Sequence, residues 1–195
     1  MTTKQEMLTA IRSNLPSGEH PLPEVKVFPI HADEPALELF TRMLSLMGGH
    51  LLEVNGSIAA AIRAQFPDAS NVVSATTQVP SDRDLRAVAH QADLDDVDVA
   101  VVRASCAVAE TGSVMLTDDD ITVNSLAYLA QHLVVLVDPA DVVPGLQEAY
   151  LRPEFSKHRY VVFHSGPSAT ADIEGVLIRG AQGVRSLHVV LAPRP

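Results

Sequence analysis

Val97-Asp98-Val99-Ala100-Val101-Val102 and, further along, Leu133-Val134-Val135-Leu136-Val137 decide the fold. Both are short apolar runs rich in β-branched residues, the pattern of a strand buried on both faces. Similar strand segments follow outward at His50–Val54, Asn71–Ser74 and Tyr160–Phe163, and Gly180–Leu191 closes with another. Between them lie helical patterns. Asp33 is a candidate N-cap with Pro35 in the first turn of a helix carrying Leu37, Phe40, Leu44 and Met47, which ends at Gly48-Gly49. Asn55 or Ser57 caps a second helix, Ile58–Phe66, stopped by Pro67. Ser81–His90, Ser125–Gln131 and Pro144–Arg152 read as further helices. Strands alternating with helices imply an α/β fold: an open, mostly parallel sheet with helices on both faces. In such sheets ligands sit beyond the carboxyl ends of the strands.

Residues 1–195 read as one domain. Its N-terminal helix, about residues 3–15, puts Met7, Leu8, Ile11 and Leu15 on one face and stops at Pro16. That face is expected to pack on the rest of the domain or on a partner. Four prolines between Pro16 and Pro29 then make an extended linker.

Composition narrows the function. With 47% hydrophobic residues the chain is not disordered, and 14 Lys+Arg against 24 Asp+Glu leave a net charge of −10. Nucleic acid and anionic lipid both require a basic face, so neither is expected as a partner. Cys106 is the single cysteine, which excludes an intrachain disulfide, an all-cysteine zinc site and a self-contained iron–sulfur cluster. A reducing, cytoplasmic setting is expected, since the first residues lack the apolar core of a signal peptide and no apolar run approaches the roughly 18 residues of a membrane span. Neither a phosphate-loop nor a dinucleotide fingerprint is present, and no His-x-His or His-Glu-x-x-His pair suggests a metal hydrolase.

Two segments carry chemical promise. In Ala107–Leu116, AVAETGSVML, Glu110 interrupts an apolar run, where a buried carboxylate needs donors around it. Thr111 and Ser113 supply hydroxyls, and Gly112 permits close backbone approach. The alternative is an ordinary turn between two strands with Glu110 in solvent. In Ser165–Glu174, SGPSATADIE, Gly166-Pro167 ends the preceding strand, and Ser168 or Thr170 is placed to cap a helical turn whose free N–H groups would face an anion. Asp172 would complement the dipole of that turn, and Asp172 and Glu174 are too closely spaced to face each other on a helix. Asp118-Asp119-Asp120 reads as a solvated turn in preference to a magnesium site, and Cys106 as a small core residue in preference to a nucleophile.

AVAETGSVML resembles the Ala-Glu-Thr-Gly-Thr/Ser segment of the LUD family, the lactate-utilisation domain. SGPSATADIE resembles that family's Gly-Pro-Ser-x-Thr/Ser-Ala-Asp-Ile-Glu segment, and GAQGVRSLHVVL its closing Gly-x-His-Gly-Pro stretch. Ala169 stands where many members carry Arg or Asn, and Gln182 and Val184 replace the usual His and Pro. The resemblance implies the fold of ribose-5-phosphate isomerase, glucosamine-6-phosphate deaminase and the CoA transferases. It also implies a part in oxidising L-lactate to pyruvate beside partner subunits that carry iron–sulfur clusters, with no cofactor and no metal in this chain. On that reading the chain is an accessory or substrate-binding subunit. Thr111, Gly112, Ser113, Gly166, Ser168, Thr170, Asp172 and Glu174 would form a cleft for a small anion, with Glu110 as the candidate for proton abstraction. The rival class is a stand-alone isomerase or CoA-transferase-like enzyme acting on a small anionic metabolite with Glu110 as base or nucleophile. A metabolite-sensing or purely structural module is the third.

Overall fold

The computed structural model describes residues 3–21, 23, 26–28, 33–171 and 174–195. Helix α1 (Thr3–Ser13) is exposed along its whole length, and Met7, Leu8, Ile11 and the following Leu15 are all exposed. Part of the expected linker, at 22, 24, 25 and 29, lies outside the described residues. Helix α2 (Ala36–Leu46) follows, with Pro35 and not Asp33 at its N-cap, and buries Leu39, Phe40 and Leu44. Strand β1 (His50–Leu51) leads to helix α3 (Ile58–Gln65), which Ser57 caps by accepting a hydrogen bond from the Ala60 N–H at 3.1 Å.

Strands β2 (Val72–Ser74) and β3 (Val99–Arg103) are separated by two single 3₁₀ turns, Leu85–Ala87 and Gln91–Leu94, where the pattern predicted a helix over Ser81–His90. The polar side chains there bond to backbone and stop the helix from winding. Ser81 Oγ accepts from the Ser74 N–H, Asp82 accepts from Val72, and Asp84 accepts from Arg86, two residues on. Next come β4 (Cys106–Val108), β5 (Ser113–Thr117), and the short helices α4 (Asp118–Ile121) and α5 (Leu126–Leu129). Strand β6 (His132–Val137), β7 (Val142–Val143), α6 (Leu146–Tyr150), α7 (Glu154–Lys157) and β8 (Val161–His164) follow. The chain closes with β9 (Ala169–Thr170), β10 (Ile178–Arg179) and β11 (Ser186–Leu191).

The expected parallel sheet is present, in the order β1-β11-β6-β3-β2, with all four pairings parallel. Alternation along β3 and β6 sorts its faces. Val99, Val101, Val134 and Leu136 pack with Ile62 of α3, whereas Ala100, Val102, Leu133, Val135 and Val137 pack with α2 and α5. A second sheet, β7-β4-β5-β8, adds to that second face. It is antiparallel except between β4 and β7, and it contributes Ala107, Val114 and Leu116 to the same core. Its central pair, β4 and β5, is the two-strand alternative for AVAETGSVML, with Glu110-Thr111-Gly112 at the turn.

The second sheet is seated by two glycines. A Cβ on Gly112 (φ +62°) would stand 2.3 Å from the Leu44 backbone nitrogen, and one on Gly166 (φ +75°) 2.3 Å from the Met47 carbonyl oxygen. Both glycines therefore let backbone abut the last turn of α2, in a left-handed conformation that suits glycine. Gly112→Ala and Gly166→Ala should each cost about 2–4 kcal/mol, since backbone cannot yield as a flexible side chain can. Gly183→Ala, left-handed at φ +68° but with no atom within 4 Å of its Cβ, should cost only about 1–2 kcal/mol. Urea unfolding of the three variants checks the ordering.

Candidate functional site

The two promising segments meet at the end of the second sheet. Antiparallel pairing of β5 with β8 sets Val114 opposite His164, which brings Ser113 alongside Ser165. Thr111 Oγ1 lies 2.6 Å from Ser113 Oγ, and Ser113 Oγ hydrogen-bonds Ser165 Oγ, so three hydroxyls form one chain. From Ser165 the wall continues into a cavity of about 220 Å³ lined by His164, Gly166 and Ser168 on one side and by Gln182, Gly183 and Val184 on the other, with Tyr128 of α5 at its rim. Segments far apart in sequence thus share one concavity, with the Ala107–Leu116 segment joined to it through hydroxyls.

His164 and Tyr128 are the titratable groups on this wall among the described residues. Burial lowers the His164 imidazole to about 4, so the ring is neutral at pH 7. Its Nε2 is buried and has no hydrogen-bond partner among the described residues, and the Tyr128 ring lies 5.1 Å away, centre to centre. The Tyr128 hydroxyl bonds that of Tyr160, and burial together with this bond raises the Tyr128 phenol above its ordinary range. Among the described residues, no cationic side chain lines the cavity. Its polar equipment is neutral: hydroxyls, one imidazole and the Gln182 amide.

Glu110 is placed elsewhere. It is half-buried, and its Oε2 accepts a 3.0 Å hydrogen bond from the Leu146 N–H at the start of α6, while its own N–H donates to the Pro144 carbonyl. The carboxylate holds a helix terminus and is absent from the wall of the cavity that Ser168 lines.

The expected helical turn after Gly166-Pro167 is a β-hairpin instead. Ala169–Thr170 pairs antiparallel with Ile178–Arg179, and the Ser168 carbonyl accepts from the Gly180 N–H at 2.6 Å. The backbone of Ala169 and Thr170, expected to open a helical turn, is thus part of a ladder. Ser168 is exposed beside the cavity, Thr170 is half-buried in β9, and Glu174 is exposed in the connection with φ +54°. Asp172 lies outside the described residues. Val184, in place of a proline, is buried in the main core, and Gln182 is exposed on the cavity wall.

Sequence reasoning missed Ser165, His164 and Tyr128. The first two adjoin the Gly-Pro-Ser segment and were legible only as its flank, and Tyr128 comes from a distant helix with no marking pattern. The carboxyl edge of the parallel sheet, where a ligand was expected, is crossed by the chain itself. Arg194 donates to Asp138, Asp141 and the Ala104 and Ser105 carbonyls, and Arg103 donates to the Ala192 carbonyl. Asp118-Asp119-Asp120 opens α4 under a Thr117–Asp120 capping box, and His158 Nδ1 lies 2.8 Å from Asp118. Cys106 is fully buried and its thiol is pushed up to about 12, which makes it a core residue.

A family model for the LUD domain matches residues 3–192. The chain therefore belongs to the LUD domain family. A crystal structure of a DUF162 family protein from Deinococcus radiodurans is similar, with a TM-score of 0.59 over 80% of this chain and 95% of that one at 18% identity. That likeness establishes a common fold. A comparison with curated proteins finds no match.

The neutral His164 makes stability depend on pH. Its folded value, about 4, lies below the ordinary 6.5, so the unfolded chain binds the proton more tightly. Its contribution is complete above pH 6.5 and is lost as pH falls toward 4. The buried His188, also lowered to about 4, acts with the same sign. Each should cost on the order of 2 kcal/mol of stability between pH 7.5 and 5. Urea unfolding across that range should show a shallower slope for His164→Gln than for the parent chain.

Proposed function

We propose that this chain is a component of an L-lactate utilisation system, resembling lactate-utilisation protein C, and that it binds a small hydroxy- or keto-acid as an accessory subunit. The observation that carries this is the convergence of the Gly166–Ser168 and Gln182–Val184 segments on one cavity, joined to Thr111 and Ser113 by shared hydroxyls, in a chain of a family associated with lactate utilisation. Each side chain has a role that suits such a ligand. Ser165 and Ser168 would donate to the carboxylate. The neutral His164 can accept from a 2-hydroxyl or donate to a 2-keto oxygen, depending on its tautomer. Thr111 and Ser113 orient Ser165 from behind. With no cation on the wall among the described residues, affinity rests on neutral hydrogen bonds, each worth about 0.5–1.5 kcal/mol net, so binding should be weak.

Oxidation of lactate to pyruvate removes two electrons and two protons. One buried thiol cannot ligate an iron–sulfur cluster, so the electrons would pass to clusters in partner subunits, in the cytoplasm. Purified alone, the chain should contain no iron–sulfur cluster and turn over nothing. Calorimetry with L-lactate and pyruvate should show binding at millimolar strength, weakened about fivefold to tenfold in Ser165→Ala. Deletion of the gene should abolish growth on L-lactate, and a tagged chain should draw down cysteine-rich subunits. Unaided turnover of sugar phosphates or CoA thioesters would replace this reading with a stand-alone enzyme, and binding without a growth defect would make it a sensor.

A further inference from the structure

A cavity of about 780 Å³ lies away from that site, at the amino-terminal edge of the parallel sheet. Three histidines line it, from positions 50, 132 and 188, and no local motif links them. Strand register does. His50 is aligned with His188 and Ser186 with His132, and since Ser186 and His188 are two apart, all four side chains leave the same face of β1, β11 and β6. Phe66, at the end of α3, covers them, stacked on His132 at 4.6 Å and edge-on to His188 at 5.1 Å between ring centres.

We propose that His50, His132 and His188 form a site for a divalent transition-metal ion of the zinc class, which the exposed His50 closes on binding. Three imidazoles are the donor set such ions prefer. Ser186 Oγ lies 2.8 Å from His132 Nδ1 and 3.3 Å from His188 Nδ1, so one hydroxyl oxygen is placed to accept from both rings. This orients the rings and leaves Nε2 of each for a ligand, the arrangement that outer-shell acceptors impose on metal-bound histidines. With metal–nitrogen bonds of about 2.0–2.1 Å and tetrahedral angles, two imidazoles on one ion have ring centres roughly 5 Å apart. Those of His50 and His188 are 5.3 Å apart. Asp98 nearby favours a cation and Arg185 at the rim opposes one. The cavity leaves room for water or a further ligand on the ion.

Among the described residues, the group whose donor atoms already lie within 4.8 Å of one another is Asp118, Asp119 and His158. The three imidazoles are more open, and closure falls to His50, which is exposed. The acidic group is thus the natural control. Titration of the full chain with zinc chloride and nickel chloride, followed by calorimetry and thermal melting, should show one ion per chain at micromolar strength and a raised midpoint. His50→Gln should weaken binding about tenfold and His132→Gln about a hundredfold, while Asp118→Asn and His158→Gln leave it unchanged. His50 is exposed, so its variant tests coordination without threatening the fold. No binding of either ion at 100 µM, or binding that survives His50→Gln and His132→Gln but is lost in Asp118→Asn, would overturn the proposal. Neither outcome bears on lactate binding at the other site.

Discussion

Backbone touching backbone at the end of α2 is the constraint on which the arrangement of this molecule depends. Gly112, from the turn between β4 and β5, and Gly166, from the end of β8, meet successive parts of the same helical turn at distances no side chain would permit. That turn also carries Leu44 into the core between the two sheets. The second sheet is thereby fixed against the first, and the hydroxyls of Thr111, Ser113 and Ser165 are brought into line. The two motif glycines act as packing residues in this setting. Their effect on a ligand is indirect, through the position they give to neighbouring hydroxyls.

Legibility in the sequence followed burial. The parallel strands β3 and β6 were visible because both of their faces are covered, which writes an unbroken apolar run. Helix α3 was visible through Ser57 and Pro67 at its two ends. The division into two sheets was not, because β4, β5 and β8 are short apolar segments whose partners are chosen by tertiary contact. The hairpin after Gly166-Pro167 was misread for a chemical reason. Ser and Thr before an acid are the signature of a helix start, and the pairing of Ala169–Thr170 with Ile178–Arg179 outweighs that local preference. At the site, Gly166 and Ser168 line the cavity and Thr111 and Ser113 reach it through Ser165, whereas Glu110, conspicuous in the sequence as a carboxylate in an apolar run, is bonded elsewhere. Its partner, the Leu146 N–H, is 36 residues away and had no mark in the sequence.

The carboxyl edge of the parallel sheet shows how one segment can displace a general rule. Open α/β sheets usually leave that edge to a ligand. Here Arg194 forms an ion pair with Asp141, and Arg103 donates to the Ala192 carbonyl, so both guanidinium groups at the edge are engaged by the protein itself. The candidate site is displaced to the end of the antiparallel sheet, where the polar groups are uncharged. A pocket of that kind discriminates by shape and hydrogen-bond pattern more than by charge.

The outermost strands of the parallel sheet are very short, two residues in β1 and three in β2. A sheet whose long, apolar central strands are bordered this way offers a stray extended chain almost no ladder to join. Intermolecular strand addition, the first step toward fibrils, is therefore poorly templated at either side, although β6 and β11 would be aggregation-prone if uncovered. Protection from misassembly in this protein rests on keeping its borders brief while its interior strands remain long.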